Sequence, residues 1–322
     1  MPLPSLSPLG LGTAPLGGLY SPVSEDEAIR VVDAAWEHGI RVFDTAPMYG
    51  NGSAERRLGA VLRHKPRDSF VLATKVGRLL RMPATPQGED AYYKGTPPER
   101  PVFDFSYDGV MRSFEESLTR LGLDRIDILH IHDPDAHERE AISDAYRALA
   151  RLRAEGTIRA VGAGMNQWQM LARFADSAAF DCFLLAGRYT LLDQSALPVL
   201  MPTCERRGVR ILAAGVYNSG LLADPRPGAK FNYDDAPSTL VRRAQRLETI
   251  CRQHGVPLKA AAIQFPAFHP AVVSTLTGAR SKAELDETVA MWRVRIPPAL
   301  WDDLRAQELL DPKAPTMPRA AT

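Results

Sequence analysis

The sequence predicts an α/β fold in which eight parallel strands close into a barrel and helices cover its outside. Two observations lead to this prediction. Short apolar runs rich in β-branched residues alternate with longer amphipathic segments along nearly all of the 322 residues. The strand runs are apolar throughout rather than at every second position, as expected of parallel strands that are covered by helices.

The predicted elements follow one another in regular strand–helix order. Strands are expected at 9–14, 41–45, 70–75, 126–132, 158–163, 182–186, 209–214 and 272–276. Helices are expected near 25–38, 53–63, 108–121, 139–155, 167–176, 195–207, 238–254 and 281–290. Two helices have a Ser-x-x-Glu start, Ser24 with Glu27 and Ser281 with Glu284, a pattern that satisfies free backbone donors at a helix N-terminus.

Two long connections interrupt this order. Residues 79–107 are rich in proline and glycine without clear periodicity, residues 217–236 are similar, and loops of this size usually serve as lids or binding loops. The tail from about residue 311 is rich in proline and alanine, and we expect it to be poorly ordered. We therefore predict one domain over residues 1–322, a (β/α)8 TIM-type barrel with long loops at the carboxyl ends of its strands.

A doubly wound, two-domain dehydrogenase is the main alternative fold. That fold normally has a GxGxxG turn after its first strand, where the backbone approaches a pyrophosphate. The segment 10–15 ends in proline and leads into no helix, and the segment 162–167 also fails the pattern. The barrel is the better interpretation.

Composition excludes several classes of protein. The net charge of +1 and the hydrophobic content of 45% are those of a globular protein, with no excess of positive charge for nucleic acid or an anionic membrane. Neither a signal peptide nor an apolar run of about 18 residues is recognisable, so we expect no transmembrane helix. The three cysteines are widely spaced, which favours a reducing cytoplasm and predicts no metal site.

Four polar residues occur at or just beyond the ends of three consecutive predicted strands. Asp44 and Tyr49 follow the second strand, Lys75 ends the third, and His132 ends the fourth. In a barrel these strand ends open onto one face, where active sites are found. Residues that lie far apart in the sequence can therefore meet around one reacting atom.

These residue types suit proton transfer beside a hydride step. A tyrosine phenol has an ordinary pKa of about 10, too high for acid–base work near neutrality, and a neighbouring ammonium lowers that pKa. Lys75 can supply the charge, Asp44 can keep Lys75 protonated, and His132 can orient the substrate oxygen through a hydrogen bond. Alternatively, Asp44 and Lys75 form a structural pair, Tyr49 closes a turn, and His132 is a core residue beside His130.

Five short motifs occur in order along the chain. They are FDTAPMYG at 43–50, GSAERRLG at 52–59, ATK at 73–75, LHIHD at 129–133 and GARS at 278–281. Together they resemble the aldo-keto reductase superfamily over about residues 8–307, and the resemblance implies an (α/β)8 barrel with the catalytic tetrad Asp44, Tyr49, Lys75 and His132. His132 is chosen over His130 because it sits where the family histidine ends its strand, although both point the same way.

The resemblance also implies a nicotinamide dinucleotide that lies extended across the barrel mouth without a Rossmann motif. Asn166 matches the family residue that holds the nicotinamide carboxamide, and it can also cap the helix at 167–176. Ser219, Gly220 and Leu221 occupy the position of the loop that contacts the pyrophosphate.

The chain departs from the common family pattern at three cofactor positions. It has Met165, Ala186 and Ala214 where the family has a serine, a glutamine and, in many members, a tyrosine that stacks on the nicotinamide ring. Contact with the ring must then come from elsewhere, for example from Tyr189 or Tyr217, or be absent.

The choice between NAD and NADP depends on residues 278–288. Many NADP-dependent members have lysine, serine and a later arginine where this chain has Gly278, Ala279 and Glu284. A carboxylate at the last position can accept hydrogen bonds from ribose hydroxyls and would repel a 2′-phosphate. Arg280 could instead pair with that phosphate, and Glu284 could merely complete its helix cap. We favour NAD over NADP.

Two further motifs, IHDPD at 131–135 and LAGRYTLLDQ at 185–194, resemble the aldose 1-dehydrogenase branch of the family. That branch contains L-fucose and D-threo-aldose dehydrogenases, and pyridoxal 4-dehydrogenase and plant-type L-galactose dehydrogenase are similar. The resemblance implies an aldose that is oxidised at C1 to its lactone, with the Tyr49 phenolate as general base. The candidate substrate contacts are Tyr49, His132, Asp133, Asp135, Trp168 and Arg188, of which the last four can equally be rim residues.

Other functions remain alternatives at this stage. The chain could be a pyridoxal 4-dehydrogenase or a general aldehyde or ketone reductase. It could also be a regulatory subunit that resembles the family and binds cofactor with little turnover, although the intact tetrad disfavours that reading. The sequence predicts a small-molecule substrate and leaves the oligomeric state open.

Overall fold

Eight parallel strands form a closed barrel in the computed structural model, which describes residues 4–85 and 87–317. The strands follow chain order around the barrel, and the last pairs with the first. They are β1 (Leu9–Gly12), β2 (Val42–Asp44), β3 (Val71–Val76), β4 (Ile128–His132), β5 (Ala160–Met165), β6 (Cys182–Ala186), β7 (Arg210–Ala214) and β8 (Val272–Thr277). The predicted (β/α)8 barrel is therefore confirmed.

Helices cover the outside of the barrel. They are α1 (Glu25–Glu37), α2 (Ser53–Leu62), α3 (Tyr107–Leu121), α4 (Tyr146–Ala154), α5 (Trp168–Ser177), α6 (Leu200–Arg207), α7 (Ser238–Gln253), α8 (Leu258–Gln264), α9 (Lys282–Trp292) and α10 (Pro298–Ala306). A short turn of helix at Glu138–Glu140 and a π-helical stretch at Ala141–Ala145 lead into α4. No helix in the described ranges is both long enough and apolar enough to cross a membrane.

Three helices differ from the sequence prediction. The helix expected at 195–207 begins only at Leu200, because the preceding residues form turns. Helices α8 and α10 were not predicted. Helix α8 is buried on almost every side, so it lacks the apolar stripe by which a surface helix is recognised in a sequence.

The register of the strands brings the predicted catalytic positions to one end of the barrel. Asp44 is the last residue of β2, and it pairs with Ala73 of β3. Lys75 pairs with His130, two residues before β4 ends at His132. Because all the strands are parallel, Asp44, Lys75 and His132 lie together at the mouth formed by the carboxyl ends.

Both predicted serine caps are present. Ser24 Oγ accepts a hydrogen bond from the backbone N–H of Glu27, and Ser281 Oγ accepts one from Glu284, each at 3.2 Å. Glu27 Oε1 also accepts from the backbone N–H of Lys282 at 2.8 Å. The cap of α1 is thereby joined to the start of α9.

The two long loops contain short hairpins. In the first loop, Arg78–Arg81 pairs antiparallel with Arg100–Phe103, and in the second, Lys230–Phe231 pairs with Asp234–Asp235. Strands of two to four residues are too short to show a period in the sequence. For this reason the sequence of these loops showed no clear periodicity.

The carboxyl-terminal tail packs on the barrel as far as the structure describes it. Disorder was expected from about residue 311, yet Ala314 and Thr316 are buried. Arg305 Nη2 donates to Ala314 O at 3.0 Å and to Thr316 Oγ1 at 2.6 Å. These bonds correct the expectation for the first part of the tail, whereas residues 318–322 lie outside the described residues.

Close backbone packing between α2 and α3 generates a prediction about stability. A Cβ atom added at Gly59 would overlap backbone atoms of Leu121. Gly59→Ala should therefore lower the free energy of unfolding by about 1–3 kcal/mol, although alanine normally favours a helix. Gly88→Ala, where nothing lies within 4 Å, is the control and should stay within about 0.5 kcal/mol. Urea unfolding measures both, and an unchanged value for Gly59→Ala would contradict the packing.

Candidate active site

A buried ion pair between Asp44 and Lys75 lies at the base of the barrel mouth. Lys75 Nζ is 3.0 Å from Asp44 Oδ1 and 2.7 Å from Oδ2, and it donates to Thr45 O at 2.9 Å. Both side chains are almost inaccessible to solvent. Burial raises the pKa of Asp44, and the charge of Lys75 opposes that shift. Three acceptors engage the three ammonium protons, so Lys75 is held in one place.

Tyr49 lies above this pair, in the turn that follows β2. The centre of its ring is 4.6 Å from Lys75 Nζ. The turn is tight because Gly50 has a φ of +58°, and a Cβ atom there would overlap the backbone of Gly17. Only glycine fits at such a contact. The packing of Gly17 on Gly50 therefore positions the phenol.

The phenol of Tyr49 is harder to ionise than the sequence suggested. Burial is the largest cause and the negative charge of Asp44 adds to it, so that the pKa of Tyr49 lies well above its ordinary value of 10. The net shift of the Tyr49 pKa is therefore upward, opposite to the one expected from Lys75, because burial and Asp44 outweigh the nearby ammonium. At neutral pH the phenol is protonated, and the phenolate forms as the pH rises or as further positive charge comes close.

His132 faces Tyr49 across the mouth. The ring centres are 5.9 Å apart and the ring planes are nearly perpendicular, at 86°. Burial, followed by the charges of Arg78 and Lys75, lowers the pKa of His132 well below its ordinary value of 6.5. The imidazole is therefore neutral at physiological pH, and it can bind a substrate oxygen through a hydrogen bond without carrying charge.

His130 occupies a different environment from His132. It is fully buried inside the barrel, and its two ring nitrogens have no hydrogen-bond partner among the described residues. Burial and the charge of Lys75 lower the pKa of His130 to about 3. His132 lines the pocket described next, whereas His130 does not. The geometry thus favours His132 as the histidine that meets substrate.

Four tyrosine rings form part of the lining of a pocket above these residues. Tyr49 lines it together with Tyr92 and Tyr93 from the first long loop and Tyr233 from the second. The ring centres of Tyr49 and Tyr93 are 6.3 Å apart, and those of Tyr92 and Tyr233 are 5.6 Å apart. The two loops therefore meet over the site. Sequence reasoning missed these three loop tyrosines, and the one signal for them was the presence of aromatic residues in loops of otherwise flexible composition.

Asp133 lies in this pocket beside His132. Its Oδ2 atom is 3.4 Å from His132 Nε2 and 3.0 Å from Arg78 Nη2. Burial raises the pKa of Asp133, and Arg78 opposes the shift. Asp135, which the sequence also suggested as a substrate contact, is exposed outside the pocket.

The structure places two other predicted substrate contacts outside the pocket. Trp168 is half-buried and packs on the hydrophobic layer between strands and helices. Arg188 donates to Asp193 Oδ2 at 3.3 Å and to Asn232 Oδ1 at 3.1 Å. Because Asn232 precedes Tyr233, Arg188 affects the pocket by holding the second long loop.

Asn166 lies where the pocket adjoins a longer groove. Its Nδ2 atom donates to Ala186 O at 3.3 Å, and its side chain lines the pocket. The alternative role as a helix cap is wrong, because the N-cap of α5 is Gln167 and no side-chain cap bond forms there.

An elongated groove runs from Tyr49 across the barrel mouth to the start of α9. Most of the predicted cofactor contacts line it, namely Ser219, Gly220, Gly278, Arg280 and Glu284. Leu221 does not line it, because its side chain is fully buried in the core below the loop. Glu284 accepts from the backbone N–H of Arg280 at 2.8 Å and from its guanidinium at 3.0 Å.

The groove fits an extended dinucleotide. Ala186 and Ala214 line the part nearest the tetrad, and their small side chains leave room for a flat ring. Thr277 Oγ1 is buried in the groove wall and has no hydrogen-bond partner among the described residues. Tyr217 also lines the groove, whereas Tyr189 lies in the core. In the same described ranges, no group of three or more His, Cys, Asp or Glu could hold a metal ion.

Comparison with known proteins agrees with this geometry. The Aldo/keto reductase family model matches residues 8–308. The chain belongs to the aldo-keto reductase family. Among its relatives, pyridoxal 4-dehydrogenase of Microbacterium luteolum is 45% identical over 95% of both chains. D-threo-aldose 1-dehydrogenase of a Pseudomonas species is 43% identical over 94% of both.

The similarity extends to solved structures. The glycerol dehydrogenase of Gluconobacter oxydans superimposes with a TM-score of 0.72 at 24% identity, covering 97% of this chain and 95% of that one. This likeness supports the fold alone. Aldo-keto reductases use NAD(P)H, and the chain is accordingly an NAD(P)-dependent oxidoreductase.

The raised pKa of Tyr49 predicts a steep pH dependence of substrate oxidation. If the phenolate is the base, its fraction rises about tenfold per pH unit below the pKa, so kcat/KM should rise by about that factor per unit from pH 6 to pH 9.

The same assignment predicts the effect of removing the phenol. Tyr49→Phe should keep cofactor binding and lose about 100- to 10,000-fold in kcat. Tyr93→Phe, which alters the neighbouring ring, is the matched control. Initial rates across this range test the assignment, and a flat profile or a fully active Tyr49→Phe would refute it.

Proposed function

We propose that this protein oxidises a cyclic aldose, such as L-fucose or a D-threo-aldose, at C1 to the lactone, with NAD as cofactor. The observation that carries the proposal is the position of Asp133, whose Oδ2 lies 3.4 Å from His132 Nε2 and whose side chain is 29% exposed. A carboxylate beside the histidine that faces the reacting oxygen can accept a hydrogen bond from the hydroxyl on the adjoining sugar carbon. The pocket therefore suits a substrate with neighbouring hydroxyls.

The tetrad residues have separate roles in this oxidation. The nicotinamide ring, when bound, supplies the hydride acceptor. The Tyr49 phenolate takes the proton of the C1 hydroxyl as the C1–H bond breaks and the C1=O bond forms. Lys75 places a positive charge 4.6 Å from the centre of the Tyr49 ring, and a positive charge nearby favours the phenolate. Neutral His132 orients the C1 oxygen through a hydrogen bond.

Two sugar-oxidising relatives support this substrate class. D-threo-aldose 1-dehydrogenase, 43% identical, acts by its name on C1 of an aldose. L-galactose dehydrogenase of Arabidopsis thaliana is 31% identical over 88% of this chain and 84% of that protein.

An aromatic aldehyde such as pyridoxal is the second candidate, and the tyrosine lining of the pocket favours it. Four tyrosine rings, those of Tyr49, Tyr92, Tyr93 and Tyr233, surround the space above the tetrad and could stack on a planar substrate. The relative at 45% identity is named for pyridoxal. Pyridoxal has a hydroxymethyl group beside its aldehyde and closes to a cyclic hemiacetal, so the same proton transfer applies. Reduction of a simple aldehyde or ketone is the reverse chemistry at the same site.

A substrate screen tests the proposal. The purified protein is mixed with NAD at alkaline pH, and reduced nicotinamide absorbance is followed with L-fucose, D-arabinose, L-galactose and pyridoxal. We expect kcat/KM for the best sugar to exceed that for pyridoxal at least about tenfold, a difference of roughly 1.4 kcal/mol in transition-state binding. Tyr49→Phe prepared in parallel controls for contaminating activity.

The outcomes of the screen separate the candidates. Faster turnover of pyridoxal than of any sugar would favour the second candidate. Binding of NAD(H) with no turnover of any sugar, aldehyde or ketone would overturn both, and it would favour a regulatory subunit.

NAD is proposed over NADP because Arg280 is already engaged. Its backbone N–H and its guanidinium both bind the carboxylate of Glu284, and both side chains are partly exposed at the groove. A 2′-phosphate near this pair would have to compete with Glu284 for Arg280 and would meet its negative charge. A ribose with a free 2′-hydroxyl meets no such repulsion.

Removing the charge of Glu284 should therefore shift the cofactor preference. Wild-type kcat/KM should favour NAD, and Glu284→Gln should raise the NADP/NAD ratio of kcat/KM about tenfold or more because Arg280 is released. Asp286→Asn removes one negative charge from the same helix, where Asp286 pairs with Lys282 and His38, and should leave the ratio unchanged. A wild-type preference of about tenfold for NADP would show that the assignment is wrong.

A cytoplasmic location is also proposed. The three cysteines Cys182, Cys204 and Cys251 are free and buried. Thiols that stay unpaired suit a reducing compartment.

A further inference from the structure

Arg78 is a buried arginine beside the tetrad to which the mechanism above gives no role. It begins the hairpin strand Arg78–Arg81, shortly after β3, and its side chain is 9% exposed. Nη2 is 3.0 Å from Asp133 Oδ2, and Nη1 is 3.4 Å from His132 Nδ1. One guanidinium group therefore contacts both His132 and the residue that follows it.

Local packing holds the guanidinium in this place. Gly77 has a φ of +99° and turns the chain between β3 and the hairpin. The ring of Phe103 lies 4.9 Å from the guanidinium carbon of Arg78, and the sulfur of Met48 contacts Nη1. These neighbours confine the guanidinium, which uses its N–H edge for polar partners.

The contact with Arg78 decides which nitrogen of His132 carries the proton. A guanidinium has only N–H donors and no acceptor, so Nδ1 of His132 must accept. A neutral imidazole that accepts at Nδ1 has its proton on Nε2. Nε2 lies on the side of Asp133 Oδ2, and the ring faces Tyr49. As a result of its contact with Arg78, His132 presents an N–H donor to the pocket at Nε2, and not a lone pair.

We propose that Arg78 is a positioning residue of this active site, which holds His132 in the Nε2–H tautomer and fixes the Asp133 carboxylate beside it. The proposal rests on the role proposed above for His132 at the C1 oxygen. In the oxidation, an Nε2–H donor stabilises the negative charge that develops on this oxygen as Tyr49 takes its proton. In the other tautomer a lone pair would face that charge.

Arg78 also affects the charge of His132. The polar groups that face the imidazole are Arg78 from the hairpin, Lys75 from β3, His130 from β4, Asp133 directly after β4, and Tyr49 from the turn after β2. After burial, the charge of Arg78 is the largest cause that lowers the pKa of His132. Loss of Arg78 should therefore raise that pKa toward 6.5, and imidazolium should then form as the pH falls through the new value.

Nitrogen NMR of protein labelled with 15N-histidine is the direct test. His132→Gln assigns the His132 signals. We expect wild-type His132 to be the neutral Nε2–H tautomer and to remain neutral as the pH falls below 6.5, the ordinary pKa of histidine. In Arg78→Met, which keeps an unbranched apolar stem, we expect mixed tautomers and a pKa raised toward 6.5. A wild-type proton on Nδ1, or an Arg78→Met spectrum equal to that of the wild type, would overturn the proposal.

Kinetics supply a second measurement. Arg78→Met should lower kcat about 10- to 100-fold and leave the Kd of NADH within about twofold. Arg78→Lys keeps the charge but cannot bind both partners with one planar group, so its loss should be smaller. Arg81→Met is the matched control, since Arg81 lies on the same strand and pairs with Glu116. It should keep the wild-type kcat.

A double variant removes the complication of an unpaired carboxylate. Arg78→Met leaves Asp133 without its cation, which by itself could disturb the fold. Arg78→Met with Asp133→Asn removes both charges together, and a wild-type tautomer and kcat in that variant would contradict the proposal.

Failure of the proposed function would look different from failure of this inference. An Nε2–H signal in a wild-type protein that turns over no substrate would overturn the function and leave the placement by Arg78 standing. Full turnover of a sugar by a protein whose His132 carries its proton on Nδ1 would overturn the role of Arg78 and leave the proposed function standing.

Discussion

The buried ion pair of Asp44 and Lys75 is the interaction on which the rest of the site depends. Adjacent parallel strands in fixed register bring the two side chains within 2.7 Å. Breaking such a pair leaves an unpaired buried charge and typically costs about 3–5 kcal/mol, while an apolar pair could be equally stable. The Asp44–Lys75 pair is therefore explained by its effect on the neighbouring Tyr49 and not by a gain in stability. It holds a cation near Tyr49 in a buried place where an unpaired charge would be strongly disfavoured.

The second long loop connects the cofactor groove to the substrate pocket. Ser219 Oγ accepts a hydrogen bond from the backbone N–H of Tyr233 at 3.3 Å, and the backbones of Gly220 and Lys230 form an isolated parallel β-bridge. Tyr233 lines both the groove and the pocket. Because one segment forms a wall of each, the shape offered to a substrate depends on how this loop sits over the groove. A change in the position of this loop would therefore alter the groove and the pocket together.

Much of the fold and part of the site follow from sequence patterns. Apolar runs and helical periods locate the eight strands, and the strand ends locate Asp44, Lys75 and His132. Sequence patterns predicted the role of a side chain less well where that role depends on contacts with distant segments. Arg188 looked like a substrate contact but holds a loop, and Leu221 belongs to the core although its neighbours line the groove.

By itself, the sequence determined the alternation of strands and helices and which polar residues stand at the strand ends, since both follow from local periodicity and from positions along the chain. Only the tertiary structure decided the direction of the Tyr49 pKa shift, the contact of Arg78 with His132, and the pairing of Arg280 with Glu284. The physical reason is that burial and charge–charge distances depend on how distant segments pack. Residue spacing along a chain does not contain that information.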